Sequence, residues 1–389
     1  MFDVPEASFE AREICSANGS LTSIVTDKFT QPKITYYANE KKNAIATKIT
    51  DKVVQTVQTT VNQQYVETVV KLLGNVIFLN NETLSNLYQK TKDVSVIEEF
   101  LNSACVEMEF WKFDRITSCG LNQWGCGWTK VKCDATWSYV DERVGGLTEQ
   151  EKKLDKIKVS QSFYAIAESG WDINVRYRRK GFRFDSLNFA SIDLNSILYD
   201  AEIKIAEMAK VVKNDELCNE FVRRSNQRKE LMNKLMKDKK SGIYYDYCFK
   251  DKKISKFLSA ASLYPYAVGI STDKKSAKEI FDRLDFKYGL STCEYRGEDQ
   301  YLQWDYPHMW PSNVYITYLA LKNTGNFVEA RELKKKYLDT VERVFKKTGK
   351  LWEKYNSVTG NVSTTIEYET PPMMGWTAAI YEFLYNEKE

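Results

Sequence analysis

Ile192-Asp193-Leu194-Asn195-Ser196-Ile197-Leu198-Tyr199-Asp200-Ala201-Glu202-Ile203-Lys204-Ile205-Ala206-Glu207-Met208 is the stretch on which the fold class turns. Its residues Leu194, Ile197, Leu198, Ala201, Ile205 and Met208 fall at i, i+3, i+4, i+7, i+11 and i+14, one continuous face of a helix. The same periodicity returns in Phe327, Ala330, Leu333, Tyr337, Val341, Val344 and Phe345. There Lys346 and Lys347 complement the carbonyl end of the helix dipole, and Gly349 ends the run. The pattern predicts further helices near 50–72, 94–112, 216–238, 275–284 and 312–323. Strand signals are few and short, and only 7 prolines punctuate 389 residues. The expected fold class is therefore all-α, one compact domain of paired helices over 46–389, with 1–45 as an N-terminal appendage.

Composition narrows the chemistry. Hydrophobic residues make up 43% and charged residues 28%, which suits a folded protein with a real core. Lys and Arg number 56 against 53 Asp and Glu, and a net charge of +3 gives no field for gripping a phosphate backbone, so no nucleic-acid partner is expected. One histidine, His308, stands in the whole chain. A His-rich metal site is thereby excluded, as are most Ser-His and Cys-His mechanisms unless His308 itself serves. Acid and base work falls to carboxylates, with no metal and no organic cofactor expected.

Eight cysteines include no C-x-x-C pair, and Cys119, Cys126 and Cys133 recur at a spacing of seven. Disulfides there would suit an oxidising compartment, and small apolar packing residues fit equally well. Residues 1–20 hold no apolar stretch long enough for a signal h-region, and nowhere do eighteen apolar residues run together. No membrane span is expected; the compartment is cytoplasmic by default, with secretion left open. Oligomeric state has no signature in the sequence.

Between the helices lie loops rich in Trp, Asp, Glu and Asn, at 168–185, 301–311 and 351–377. In Ala167-Glu168-Ser169-Gly170-Trp171-Asp172, Gly170 lets the backbone turn sharply and present Trp171 and Asp172 together. A carboxyl group set against an indole resists ionisation through desolvation and keeps a proton ready for a leaving oxygen, so Asp172 is a candidate general acid. A helix-capping Asp fits the same segment. Gln303-Trp304-Asp305-Tyr306-Pro307-His308-Met309-Trp310-Pro311 packs two Trp, a Tyr and a carboxylate ahead of a helix. It reads either as stacking platforms for a sugar or as an aromatic plug over the helix start. Leu351-Trp352-Glu353-Lys354-Tyr355-Asn356 places a second carboxylate beside Trp and Tyr. Glu353 could activate a water on the far side of a sugar ring, or form a solvated pair with Lys354.

In this order the segments resemble the trehalase family of inverting glycosidases. The family stretch E-S-G-W-D-x-S-S-R-W is matched by Glu168-Ser169-Gly170-Trp171-Asp172-Ile173-Asn174-Val175-Arg176-Tyr177, and V-D-L-N-x-x-L-Y by Ile192 to Tyr199. The signature Q-W-D-x-P-x-G-W-P-P is matched from Gln303 to Pro311, and E-K-Y-D/N by Glu353 to Asn356. The resemblance implies an (α/α)6 toroid, whole or incomplete in its N-terminal part, that cleaves α,α-trehalose to two glucose molecules with inversion. It puts the catalytic acid on Asp172 and the base on Glu353. It further implies sugar contacts from Trp171, Arg176 and Asn195, from Gln303, Trp304, Asp305 and Trp310, and from Glu367, Tyr368 and Trp376. The family's P-G-G-R-F signature has no counterpart between Lys33 and Leu73, and its glycine-rich lid is replaced by Gly360-Asn361-Val362-Ser363-Thr364-Thr365. The second expectation is accordingly a catalytically impaired trehalase-like protein that binds a sugar or a partner.

Overall fold

A computed structural model describes residues 94–127, 129–144, 149–154, 156–297, 302–365, 368–372 and 375–387. The helix expected near 50–72, the boundary at 45, Cys15 and Glu367 lie outside these residues.

The stretch from Ile192 is a helix, Ile192–Val211, numbered α5 after α1 (Val94–Asp114), α2 (Lys130–Ala135), α3 (Trp137–Val144) and α4 (Lys156–Glu168). It is buried on two sides rather than one. Leu194, Leu198, Ala201, Ile205 and Met208 enter a core with Met108, Trp111, Phe163 and Phe189, whereas Ile192, Ile197 and Tyr199 enter a second core with Tyr244, Tyr264 and Trp310. Ile197 thus departs from the single face read in the sequence, because a helix that divides two cores keeps only a narrow solvent stripe, here Asp200, Lys204, Glu207 and Lys210, and its buried arc spans more than one face.

Its partner α6 (Asp215–Leu235) returns antiparallel after a turn in which Lys213 takes φ 60 and the Asn214 side chain accepts from Leu217 N at 3.1 Å. Helix α6 fully buries Phe221, Ser225 and Met232, packs the half-buried Leu217, Cys218, Leu231 and Leu235 against the two cores, and turns its other side to solvent. The same division holds further along. After the short α7 (Tyr264–Ala267), helix α8 (Lys274–Leu284) buries one stripe of Ala277, Ile280, Phe281 and Leu284 and is capped by Asp273, which accepts from Lys275 N and Ser276 N. Helix α9 (Pro311–Asn323) is buried on several sides, and α10 (Phe327–Thr348) buries the stripe Ala330, Leu333, Tyr337, Val341 and Val344. A last helix, α11 (Gly375–Asn386), packs on α9 and α10. An enclosed helix followed by an amphipathic one is the repeating hairpin of an (α/α)6 toroid, and the fold is of that class.

Strands are pairs of two residues that pin loops together. Strands β1 (Phe189–Ala190), β2 (Tyr247–Cys248) and β3 (Lys253–Ile254) form one antiparallel sheet, and β4 (Asp285–Phe286) pairs with β5 (Gly289–Leu290). Strand β6 (His308–Met309) pairs with β7 (Tyr355–Asn356), placing His308 opposite Asn356 and Met309 opposite Tyr355. That third pair joins two of the loops singled out in the sequence. None of the seven described cysteines, Cys119, Cys126 and Cys133 among them, is in a disulfide. No helix among the described residues is long and apolar enough to cross a membrane.

Candidate active site

The first wall of the site is the turn after α4. Gly170 adopts φ +74, the left-handed conformation that glycine takes without a Cβ penalty. Ser169 Oγ accepts from Trp171 N at 3.1 Å. The Asn174 side chain donates to Trp171 O at 2.6 Å and accepts from Arg176 N at 2.8 Å, closing a tight loop around Asp172. Glu168 holds the approach from the other side through Arg115 at 2.8 Å. Asp172 is left half-buried at the loop's edge, beside the buried Trp171.

The second wall is the segment before α9. Trp304 N donates to Ile173 O at 3.2 Å, so the aromatic loop is fastened directly to the loop of Asp172. Trp171 and Trp304 lie 5.2 Å apart, Trp304 and Trp310 stack at 4.0 Å with planes 3° apart, and Trp376 meets Trp310 edge-on at 5.3 Å. Trp310 Nε1 donates to Gln303 O at 2.8 Å. Trp304 is 6% exposed and Trp310 2%, and their faces lie on one another and on the start of α9, the arrangement of the aromatic plug considered beside the sugar platform. Gln303 and Asp305 are buried too, Asp305 accepting from Leu302 N at 3.3 Å and facing Arg296 at 3.6 Å. Half-buried Trp376 and Tyr368 are the aromatics of the expected set that keep open surface.

The third wall carries Glu353. Its backbone N donates to Pro371 O at 3.2 Å, and the β6–β7 pair sets the following residues against His308 and Met309. Lys354 Nζ donates to Glu353 Oε2 at 2.8 Å, and the Tyr368 hydroxyl donates to the same oxygen. This ion pair is not the solvated one considered from sequence, because Lys354 is 0% exposed. Its ammonium lies 4.8 Å from the Trp310 ring centroid and 4.1 Å from that of Tyr368, and it donates to the Tyr368 oxygen. Glu353 Oε1 has no protein partner among the described residues. Behind Lys354, His308 Nδ1 meets Ser363 Oγ, and burial reinforced by the Lys354 charge pushes the imidazole down to about 3.

Two of the expected sugar contacts, Arg176 and Asn195, have their polar atoms engaged within the protein. Arg176, 1% exposed, gives Nη1 and Nη2 to Asp193, each at 2.7 Å, and Nε and Nη2 to Asp246 at 2.6 and 2.7 Å. Burial works against the cation, but the two carboxylates outweigh it and hold the guanidinium charged. Asn195 donates to Asn122 O and Ser191 O and accepts from Asn122 N and Arg228 Nη1. Both amide hydrogens and both lone pairs are used, which leaves nothing for a sugar hydroxyl.

The structure therefore joins the segments of Asp172 and Glu353 through a continuous seam, Trp171–Trp304–Trp310–Lys354. Sequence reading passed over Lys354, Asp193 and Asp246 as site residues. Asp193 had a signal, a charge on an otherwise apolar helix start; Asp246 had none. Among the described residues no cluster of three or more His, Cys, Asp or Glu could hold a metal ion.

The trehalase family model matches residues 79–387 of this chain. Periplasmic trehalases of Escherichia coli O8 (strain IAI1) and of Escherichia coli O45:K1 (strain S88) are 28% and 26% identical over 230 residues, which is 57% of this chain and 40% of each relative. The chain thus matches less than half the length of these relatives. Among solved structures, the neutral trehalase of Saccharomyces cerevisiae superposes with a TM-score of 0.61 at 22% identity, covering 78% of this chain and 61% of that one. A mannosylglycerate hydrolase from Thermus thermophilus superposes at 0.53 with 15% identity, covering 79% and 76%. Both carry the same helical toroid. With its motif order, its fold and its matched length all in agreement, this chain belongs to the trehalase family.

Proposed function

We propose that the protein hydrolyses α,α-trehalose to two glucose molecules with inversion, Asp172 acting as general acid and Glu353 as general base. Water attacks the anomeric carbon and gives its proton to Glu353, while Asp172 protonates the glycosidic oxygen as that bond breaks. One β-glucose and one α-glucose leave. The observation that carries the reading is the seam itself. Two carboxylates 181 positions apart in sequence, 353 less 172, stand on loops that are each fastened to the same intervening segment, that of Asp172 by the Trp304–Ile173 hydrogen bond and that of Glu353 by the β6–β7 pair and the Lys354–Trp310 contact.

The test is glucose release from trehalose, with the anomers followed by proton NMR. Asp172→Asn and Glu353→Gln should each lower kcat by about 10² to 10⁴-fold, the usual contribution of a positioned acid or base. Retention of stereochemistry, or either variant within about threefold of the parent, would remove the assignment.

A second reading is favoured by one observation, the commitment of Arg176 to Asp193 and Asp246 in a chain that lacks the family's P-G-G-R-F arginine. With fewer charged donors for sugar hydroxyls, the protein would bind a sugar without turning it over. Calorimetric binding of trehalose with no glucose released at high protein concentration would select it.

A further inference from the structure

We infer that Lys354 and Tyr368 are positioning residues for the base, fixing one oxygen of Glu353 so that the other is presented to the attacking water. The inference rests on the assignment of Glu353 above and extends it to residues that touch Glu353 but need not touch a sugar.

Both donors converge on a single oxygen. Lys354 Nζ reaches Glu353 Oε2 at 2.8 Å and the Tyr368 hydroxyl donates to the same atom, while Oε1 meets no protein partner among the described residues. A carboxylate free at both oxygens rotates about its last torsion, a broad and nearly two-fold one. One tied at Oε2 by two donors in different directions cannot turn without breaking both bonds, so Oε1 keeps a fixed bearing. The frame around the donors is itself fixed. Lys354 is fully enclosed, its ammonium held against the Trp310 and Tyr368 rings, and Trp310 is locked by its stack on Trp304 and its bond to Gln303 O.

An enclosed ammonium is a poor way to stabilise a core, since its desolvation consumes most of what the ion pair returns. Its value is geometric. His308, the charged-capable neighbour behind it, stays neutral across the ordinary pH range and so adds no second positive charge there. Glu353 is thus faced by Lys354 and Tyr368 directly and by His308 through Lys354. Tyr368 acquires a different role from the sugar contact expected of it.

The experiment uses two substrates, α,α-trehalose and α-D-glucopyranosyl fluoride. In the fluoride the C1–F bond breaks as water bonds to C1 and passes its proton to the base, so turnover reports Glu353 with little demand on Asp172. Lys354→Met fills the same volume without charge, Lys354→Arg keeps the charge, and Tyr368→Phe removes one oxygen. Lys354→Met should lower kcat on both substrates by about 30-fold or more with KM within about threefold, a fraction of a whole general base. Tyr368→Phe should lower kcat by about tenfold, and Lys354→Arg should recover part of the loss. A residue that merely held the fold would instead lower the melting midpoint and leave kcat of the folded fraction unchanged.

Lys354→Met retaining kcat within about threefold on either substrate would overturn the inference. If that variant does not fold, Tyr368→Phe carries the test alone, and an unchanged kcat there overturns it equally. Turnover of the fluoride but not of trehalose removes the trehalose reading while the positioning role is still decided on the fluoride. Parent protein inactive on both substrates overturns both.

Discussion

The guanidinium of Arg176 lies between Asp193 and Asp246, and each carboxylate also collects a backbone N–H at the start of α5, Leu194 N at 2.8 Å and Ile192 N at 2.9 Å. The three side chains carry a net single negative charge away from water, and the positive end of the helix dipole faces it. Arg176→Met would leave two buried carboxylates against each other, at a cost of about 3 to 5 kcal/mol. Asp246→Asn keeps a balanced pair with Asp193 and should cost only about 1 to 3 kcal/mol, the worth of charged hydrogen bonds. Urea unfolding near neutral pH measures both, and equal costs would mean that charge balance is not what holds the network. Sequence reading had placed Arg176 against the sugar. An arginine next to the Asp172 segment looks the same in sequence whether its donors point inward or outward, and Asp246, which draws it inward, lies 70 positions away without any local mark. Asp172, Glu353 and Tyr368 stand out in the sequence because each sits in a loop of unusual composition.

Elements were legible where their ends carry chemistry. Gly349 closes α10 with φ +67, as the run of Lys346, Lys347 and Gly349 led one to expect, and helices α6, α8 and α9 begin within one residue of their expected starts. What the sequence could not mark was the β6–β7 pair, two residues on each side, too short for alternation to register. Two glycines separate conformational strain from collision at these junctions. A Cβ on Gly349 would meet nothing, so Gly349→Ala should cost only the left-handed penalty of about 1 to 2 kcal/mol. A Cβ on Gly360, at φ +72, would stand 2.6 Å from Tyr288 Cδ1 and collide with the Arg343 guanidinium, which itself donates to Gly360 O at 2.6 Å. Gly360→Ala should therefore cost clearly more than its counterpart and should also lower turnover, because the turn it belongs to returns the chain from Tyr355 to Val362 beside Glu353. Thermal unfolding gives the order, and Gly349→Ala as the costlier change would contradict the collision argument.

At the scale of the whole molecule, paired helices were readable, whereas the two-sided burial of α5 was not, since a helix enclosed by two cores shows only part of its contact as periodicity. The enclosed centre has a consequence for acid stability. His308 is the one histidine of the chain, and burial beside Lys354 lowers its imidazole from 6.5 to about 3. The unfolded chain therefore binds a proton that the folded chain refuses at every pH between those values. Stability from this group is complete above about pH 6.5 and drains away as pH falls toward 3, by an amount on the order of 5 kcal/mol. Glu107 works in the opposite sense. Burial raises its carboxyl from 4.5 to about 7, so the folded chain holds that proton more tightly and loses stability as pH rises through this window. The two offset each other around pH 5 to 6, and the parent's own curve hides both. Subtracting the curve of His308→Gln from that of the parent cancels Glu107 and every other shared group. The difference in unfolding free energy should be constant near and above about pH 7 and then fall by several kcal/mol as pH drops to about 4, the variant gaining on the parent in acid. A difference that stays flat from about pH 7 to 4 would mean that His308 takes up its proton in the folded state as readily as in the unfolded one.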